Sequence, residues 1–125
     1  QFVLDPLCGY LMLIERLWQG DARFATGWNF GPHERNERPV RDLVDLAARR
    51  WGPGAASTID NEETLHEAHY LKLDVSRARI QLNWQARMDL EQTIDWTLSW
   101  YKSWAGGGDV RALAVEQVET FLGYK

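Results

Sequence analysis

Residues 66–84 read HEAHYLKLDVSRARIQLNW, and the parsing of this stretch decides the fold class. Tyr70, Leu71 and Leu73 surround Lys72 in a run of strand character. Asp74 is placed to cap a helix from Val75 to about Leu82, and Trp84 follows. Strand then helix is an α/β pattern. At the head of the stretch, His66 and His69 bracket Glu67. Protease-type zinc helices place two histidines four apart with Glu after the first. Here they are three apart with no third ligand indicated nearby, and in an extended segment they point to opposite faces. Spacing alone reads as surface histidines and no metal site.

Upstream, residues 60–65 (DNEETL) form a polar loop and Ser57–Asp60 a candidate short strand. Val40, Leu43, Val44, Leu46, Ala47 and Trp51 repeat with a helical period, stopped by Gly52-Pro53-Gly54. Residues 32–39 (PHERNERP) form an exposed, proline-bounded loop, and Gly27–Gly31 a short buried strand. Asp5-Pro6 opens the first helix, with Asp5 as cap and Pro6 in the first turn. This helix, through Trp18, is apolar on several faces and so is expected to be buried on several sides. Downstream, Asp89 with Gln92 three residues on makes a capping box for a helix from about Leu90 to Trp104. Asp109 caps a last helix ending near Leu122. The expected order is helix, strand, helix, strand, strand and three helices.

The chain has 125 residues, enough for one domain with a core. A net charge of −4 provides no basic face for nucleic acid. Seven tryptophans argue for a packed core or a buried interface. Trp96, Trp100 and Trp104 lie four apart on one side of a helix, which favours packing over a sugar-stacking platform. Cys8 is the only cysteine and sits in an apolar run, which fits an inert thiol in a reducing compartment such as the cytoplasm. The longest apolar run, Tyr10 to Ile14, is too short to span a bilayer. Ser57, Ser76, Ser99 and Ser103 lie in no nucleophile-elbow motif. Gly106-Gly107-Gly108 lacks the Lys-Ser/Thr of a phosphate loop and reads as a linker. No dinucleotide fingerprint and no Tyr-x-x-x-Lys occurs. The residues alone describe an α-rich domain with no chemistry of its own.

The order of motifs adds to this. Gln1-Phe-Val-Leu-Asp-Pro-Leu-Cys-Gly-Tyr-Leu11, Trp28-Asn-Phe-Gly-Pro32, His66-Glu-Ala-His-Tyr-Leu-Lys-Leu-Asp74, Leu82-Asn-Trp84 and Trp96…Trp100-Tyr-Lys102 follow in that sequence. Together they resemble the C-terminal portion of the nucleotide-sugar 4,6-dehydratases, members of the extended short-chain dehydrogenase/reductase family. The Asp74-x-Ser-x-Ala…Leu-x-Trp84 motif is shared widely in that family. The His-Glu-Ala-His segment together with Trp-Asn-Phe-Gly-Pro is more particular to the branch acting on CDP-glucose. Phe2 departs from the pattern, which usually has His there.

The resemblance implies a helix-rich C-terminal substrate-binding portion, residues 1–125, of an α/β enzyme, with a few short strands and the Rossmann half missing. In the family, bound NAD oxidises C4 of the sugar, water leaves across C5 and C6, and the hydride returns to C6. NAD would be bound by the missing half, and none of the catalytic residues maps onto this chain, so the chain alone is expected to be inactive. Matched by position, His66 and Glu67 are the first candidates for nucleotide contact. His66 would hydrogen-bond a ribose hydroxyl or a phosphate, and Glu67 would accept from ribose or a base amino group. His69, Tyr70, Gln1, Pro39 and Val40 are further candidates. A homodimer is expected of the full-length enzyme, and self-association through the apolar first helix is expected of this chain. The alternatives are another nucleotide-sugar dehydratase or epimerase of the same family, and a stand-alone binding domain.

Overall fold

The computed structural model describes residues 1–58 and 72–123. Five helices organise them: α1 (Leu4–Trp18), α2 (Val40–Trp51), α3 (Ser76–Gln81), α4 (Leu90–Ala105) and α5 (Val110–Leu122). Short 3-10 turns occupy Ala22–Phe24 and Glu34–Asn36.

Most helix boundaries follow their local signals. Asp89 accepts the Gln92 N–H at 2.8 Å while Gln92 Oε1 accepts the Asp89 N–H at 3.1 Å, completing the expected capping box of α4. Asp109 accepts the Ala112 N–H at 2.9 Å and starts α5. Gly52, at φ 95°, stops α2 in a conformation that a side chain would disfavour.

The short strands of the α/β expectation are not found: the described residues contain helices, turns and irregular segments and no strand. A strand exists only if a neighbour completes its backbone ladder. Residues 29–31 do lie against 73–75, with Asn29 Nδ2 donating to Asp74 O at 3.2 Å, but that bond is a side chain's. The candidate strand around Tyr70–Leu73 is described only from Lys72 and that at Ser57–Asp60 only to Thr58, and both ends are irregular.

A second correction concerns Asp5. The residue at the N-cap of α1 is Val3, and no side chain caps this helix. Asp5 lies inside the first turn and is 1% exposed. Its Oδ1 accepts the backbone N–H of Arg87 at 2.7 Å, and its backbone oxygen accepts the Trp84 Nε1–H at 3.0 Å. Asp5 therefore clasps α1 to the segment between α3 and α4.

Two apolar clusters flank this clasp. Phe24, Phe30, Ala78, Leu82 and Trp84 form one, with Met12 and Leu13 of α1 against it. Phe2, Met88 and Phe121 form the other, with Leu4, Cys8 and Trp96 against it. Arg87 reinforces the junction, donating to Phe121 O at 3.1 Å and lying over its ring. Trp84 reaches its place because Asn83 adopts φ 54°, turning the chain sharply after α3. The Trp84 N–H then bonds Ala78 O at 3.1 Å, closing the helix end.

Replacing Asp5 with alanine strands the Arg87 N–H and is expected to cost about 1–3 kcal/mol. Asp5→Asn keeps an acceptor and should cost less. Urea melts check this, and an alanine variant as stable as the parent would show that the clasp does not hold α1.

Candidate functional site

Beside the Trp84 cluster lies a cleft of about 370 Å³. Residues 31–34 form one wall, 72–76 with Arg79 another, and Trp84, Gln85 and Ala86 the floor. The walls approach closely because Gly31 has no side chain: a Cβ there would lie 3.1 Å from Val75 Cγ1. Pro32, Leu73, Val75, Trp84 and Ala86 make much of the lining apolar. A small set of polar groups on such a surface is the usual make-up of a small-molecule site.

The charges in the cleft sort into spent and available groups. Lys72 Nζ lies 3.1 Å from Glu37 Oε1 and 3.3 Å from Glu34 Oε1. Its hydrogen bonds to Glu37 and Glu34 hold the ammonium above its ordinary range. Asp74 Oδ1 accepts the Ser76 N–H at 2.8 Å. The hydroxyl and backbone N–H of Ser76 hold the Asp74 carboxyl below the ordinary range. Asp74 thus supports the start of α3, as the sequence implied, from one position before its N-cap. Arg79 also lines the cleft; its guanidinium makes no hydrogen bond or ion pair among the described residues, though its charge helps hold the Asp74 carboxyl down. With His33, Ser76 and Gln85 nearby, the cleft can take an anion attached to an apolar or flat group.

Arg77 shows the contrast. It donates to Thr26 Oγ1 and Gly27 O and lies over the Trp28 ring, tying α3 to the segment before the cleft. Neighbouring arginines on one short helix thus have different tasks.

Of the residues implicated by sequence, His66, Glu67, His69 and Tyr70 lie outside the described residues. The described chain resumes at Lys72, on the cleft wall. Gln1 lines a different feature, a groove of about 400 Å³ walled by Phe2, Trp96, Trp100 and Tyr101. Pro39 is the N-cap of α2 and Val40 its exposed first residue. Neither lines the Arg79 cleft or the Gln1 groove. The packing expected of the helix tryptophans holds at Trp96, which meets Phe2 edge-on at 5.5 Å, while Trp104 is exposed. Arg79, His33 and Gln85 escaped the sequence reading. The available signal was a second arginine in α3, two positions after Arg77.

No helix among the described residues is long and apolar enough to cross a membrane. No family model matches the chain. Nearly the whole chain is nevertheless similar to part of a lyase, a nucleotide-sugar dehydratase. That relative is the CDP-glucose 4,6-dehydratase of Salmonella typhimurium (strain LT2), 38% identical over 122 residues, or 98% of this chain. The match spans 34% of the relative's length. The resemblance drawn from the motifs is thereby borne out.

Proposed function

We propose that this chain is the nucleotide-sugar-binding portion of a CDP-glucose 4,6-dehydratase, and that the Arg79 cleft receives the diphosphate of the substrate. The Arg79 guanidinium, without a hydrogen bond or ion pair among the described residues and beside apolar walls, carries the reading, and the similarity to the Salmonella enzyme supports it. Arg79 would pair with phosphate oxygens in the two-pronged manner that guanidinium geometry favours. His66 would contact a ribose hydroxyl or a phosphate and Glu67 ribose or a base amino group, with His69, Tyr70, Gln1, Pro39 and Val40 as further candidates. The described residues do not fit NAD. They form no βαβ unit, and the helix that follows Gly106–Gly108 opens on the acidic cap Asp109, which repels phosphate. This chain alone would therefore bind substrate and leave the redox and elimination chemistry to other residues.

Isothermal titration with CDP-glucose, CDP, UDP, GDP and dTDP tests the reading. CDP compounds should bind in preference to the others. Arg79→Ala should weaken binding roughly tenfold to a hundredfold, the loss of a charged hydrogen-bonding pair. Glu67→Ala should weaken CDP while leaving inorganic pyrophosphate unaffected. Preference for another nucleoside diphosphate would assign the chain to another branch of the family. If no nucleotide binds, the chain is not a nucleotide-sugar module.

A further inference from the structure

Among the described residues that line the Arg79 cleft, the basic Lys72 and Arg79 are matched by the acidic Glu34 and Asp74. A diphosphate entering it meets two carboxylates, and like charge opposes binding unless one of them gives way. Asp74 is tied down, since its Oδ1 holds the Ser76 N–H at the start of α3. Glu34 is free to turn. It stands on the short 3-10 turn Glu34–Asn36 with its side chain 78% exposed, and its ion pair with Lys72 is the longer of two, 3.3 Å against 3.1 Å for Glu37. The Glu37 side chain is only 32% exposed and does not line the cleft. We propose that Lys72 is a second phosphate ligand of this cleft, and that Glu34 is its place-holder, a carboxylate that the incoming diphosphate displaces. The inference rests on the reading of the cleft as a diphosphate site.

The chemistry of the groups fits such an exchange. An ammonium carries three donors, so Lys72 can keep Glu37 and turn the donor spent on Glu34 toward a phosphate oxygen. Carboxylate and phosphate are both charged oxygen acceptors, and a diphosphate brings the larger charge. An ion pair between exposed groups contributes little in water, so releasing Glu34 costs little. Glu37 is then a positioning residue that holds the ammonium at the cleft wall with or without ligand. The walls keep their register when the pair opens, because Asn29 still donates to Asp74 O and Gly31 still packs against Leu73 and Val75. Arg79 supplies the flat fork that grips two oxygens, and Lys72 adds a point charge in the same cleft.

Isothermal titration with inorganic pyrophosphate, the diphosphate without base or sugar, is the experiment. Glu34→Gln should tighten binding about three- to tenfold, since the competing charge is gone. Lys72→Met should weaken it roughly tenfold or more, and Lys72→Arg should restore most of the loss. In a Lys72→Met background the gain from Glu34→Gln should shrink, because the ammonium competed for is absent. A gain of undiminished size would reveal plain charge repulsion and overturn the exchange. Arg111→Gln and Glu116→Gln, exposed on α5 and outside the cleft, change the same charges and should leave binding unaltered. If the Lys72 pairs only clip two segments together, Lys72→Met lowers the melting temperature and leaves pyrophosphate affinity at the parental value, which overturns the proposal. Binding lost in Arg79→Ala but kept in Lys72→Met removes the second ligand and leaves the diphosphate reading standing. Pyrophosphate binding to neither the parent nor Glu34→Gln overturns both.

Discussion

Trp84→Ala should cost the chain about 3–5 kcal/mol of stability, the range for removing a buried tryptophan from a packed site. Trp84 is 3% exposed and meets the Phe30 ring edge-on at 4.8 Å. Its indole N–H bonds the backbone of Asp5, and its own N–H closes α3. It also helps line the cleft. Truncation therefore opens a cavity, frees the start of α1 and removes part of a ligand site at once. Because whole domains are held by only about 5–15 kcal/mol, the variant should unfold at a markedly lower denaturant concentration than the parent. Trp84→Phe separates the contributions. It retains an aromatic ring but loses the bond to Asp5, worth about 1 kcal/mol. Chemical melts of both variants check the order, and a phenylalanine variant as weak as the alanine one would show that the indole bond dominates.

Gly9→Ala should also destabilise, against helix propensity. Alanine in a helix interior ordinarily gains about 1 kcal/mol over glycine. At this position, however, a Cβ would overlap the Phe30 ring, with Cδ1 at 2.5 Å and Cε1 closer still. Phe30 has little room to retreat, since it packs edge-on against both Trp84 and Tyr10. Overpacking of this kind costs about 1–3 kcal/mol and should exceed the propensity gain, leaving a net loss. A second change, Phe30→Leu, should relieve part of that loss in the Gly9→Ala background. A Gly9→Ala variant more stable than the parent would show that α1 and Phe30 do not approach as described.

What the residues revealed in advance divides along the range of the interactions. The capping box at Asp89 and Gln92 and the stop at Gly52 depend on neighbours within a few positions, and they stand where expected. The strand expected at Gly27–Gly31 had a sound local pattern, and Trp28 and Phe30 do pack inward. Its ladder partner could not be seen in a local pattern. Asp5 misled for the same reason, since it sits where a cap belongs while its carboxylate serves a residue 82 positions away. The apolar pattern of α1 could not show which side the chain itself covers. Arg79 stayed hidden because its availability emerges only once Lys72, Asp74 and Arg77 have taken their partners.

The clasp at Asp5 also bears on how the chain acquires its structure. Its partners Trp84 and Arg87 lie 79 and 82 residues downstream, and Phe121, in the cluster beside it, lies further still. During synthesis the residues that anchor α1 follow it only after about ten seconds at 5–20 residues per second. Until then α1 has only its nearby partners Phe24 and Phe30, and closing so long a loop slows the arrival of the rest. The interval is one in which a holding chaperone would find its substrate.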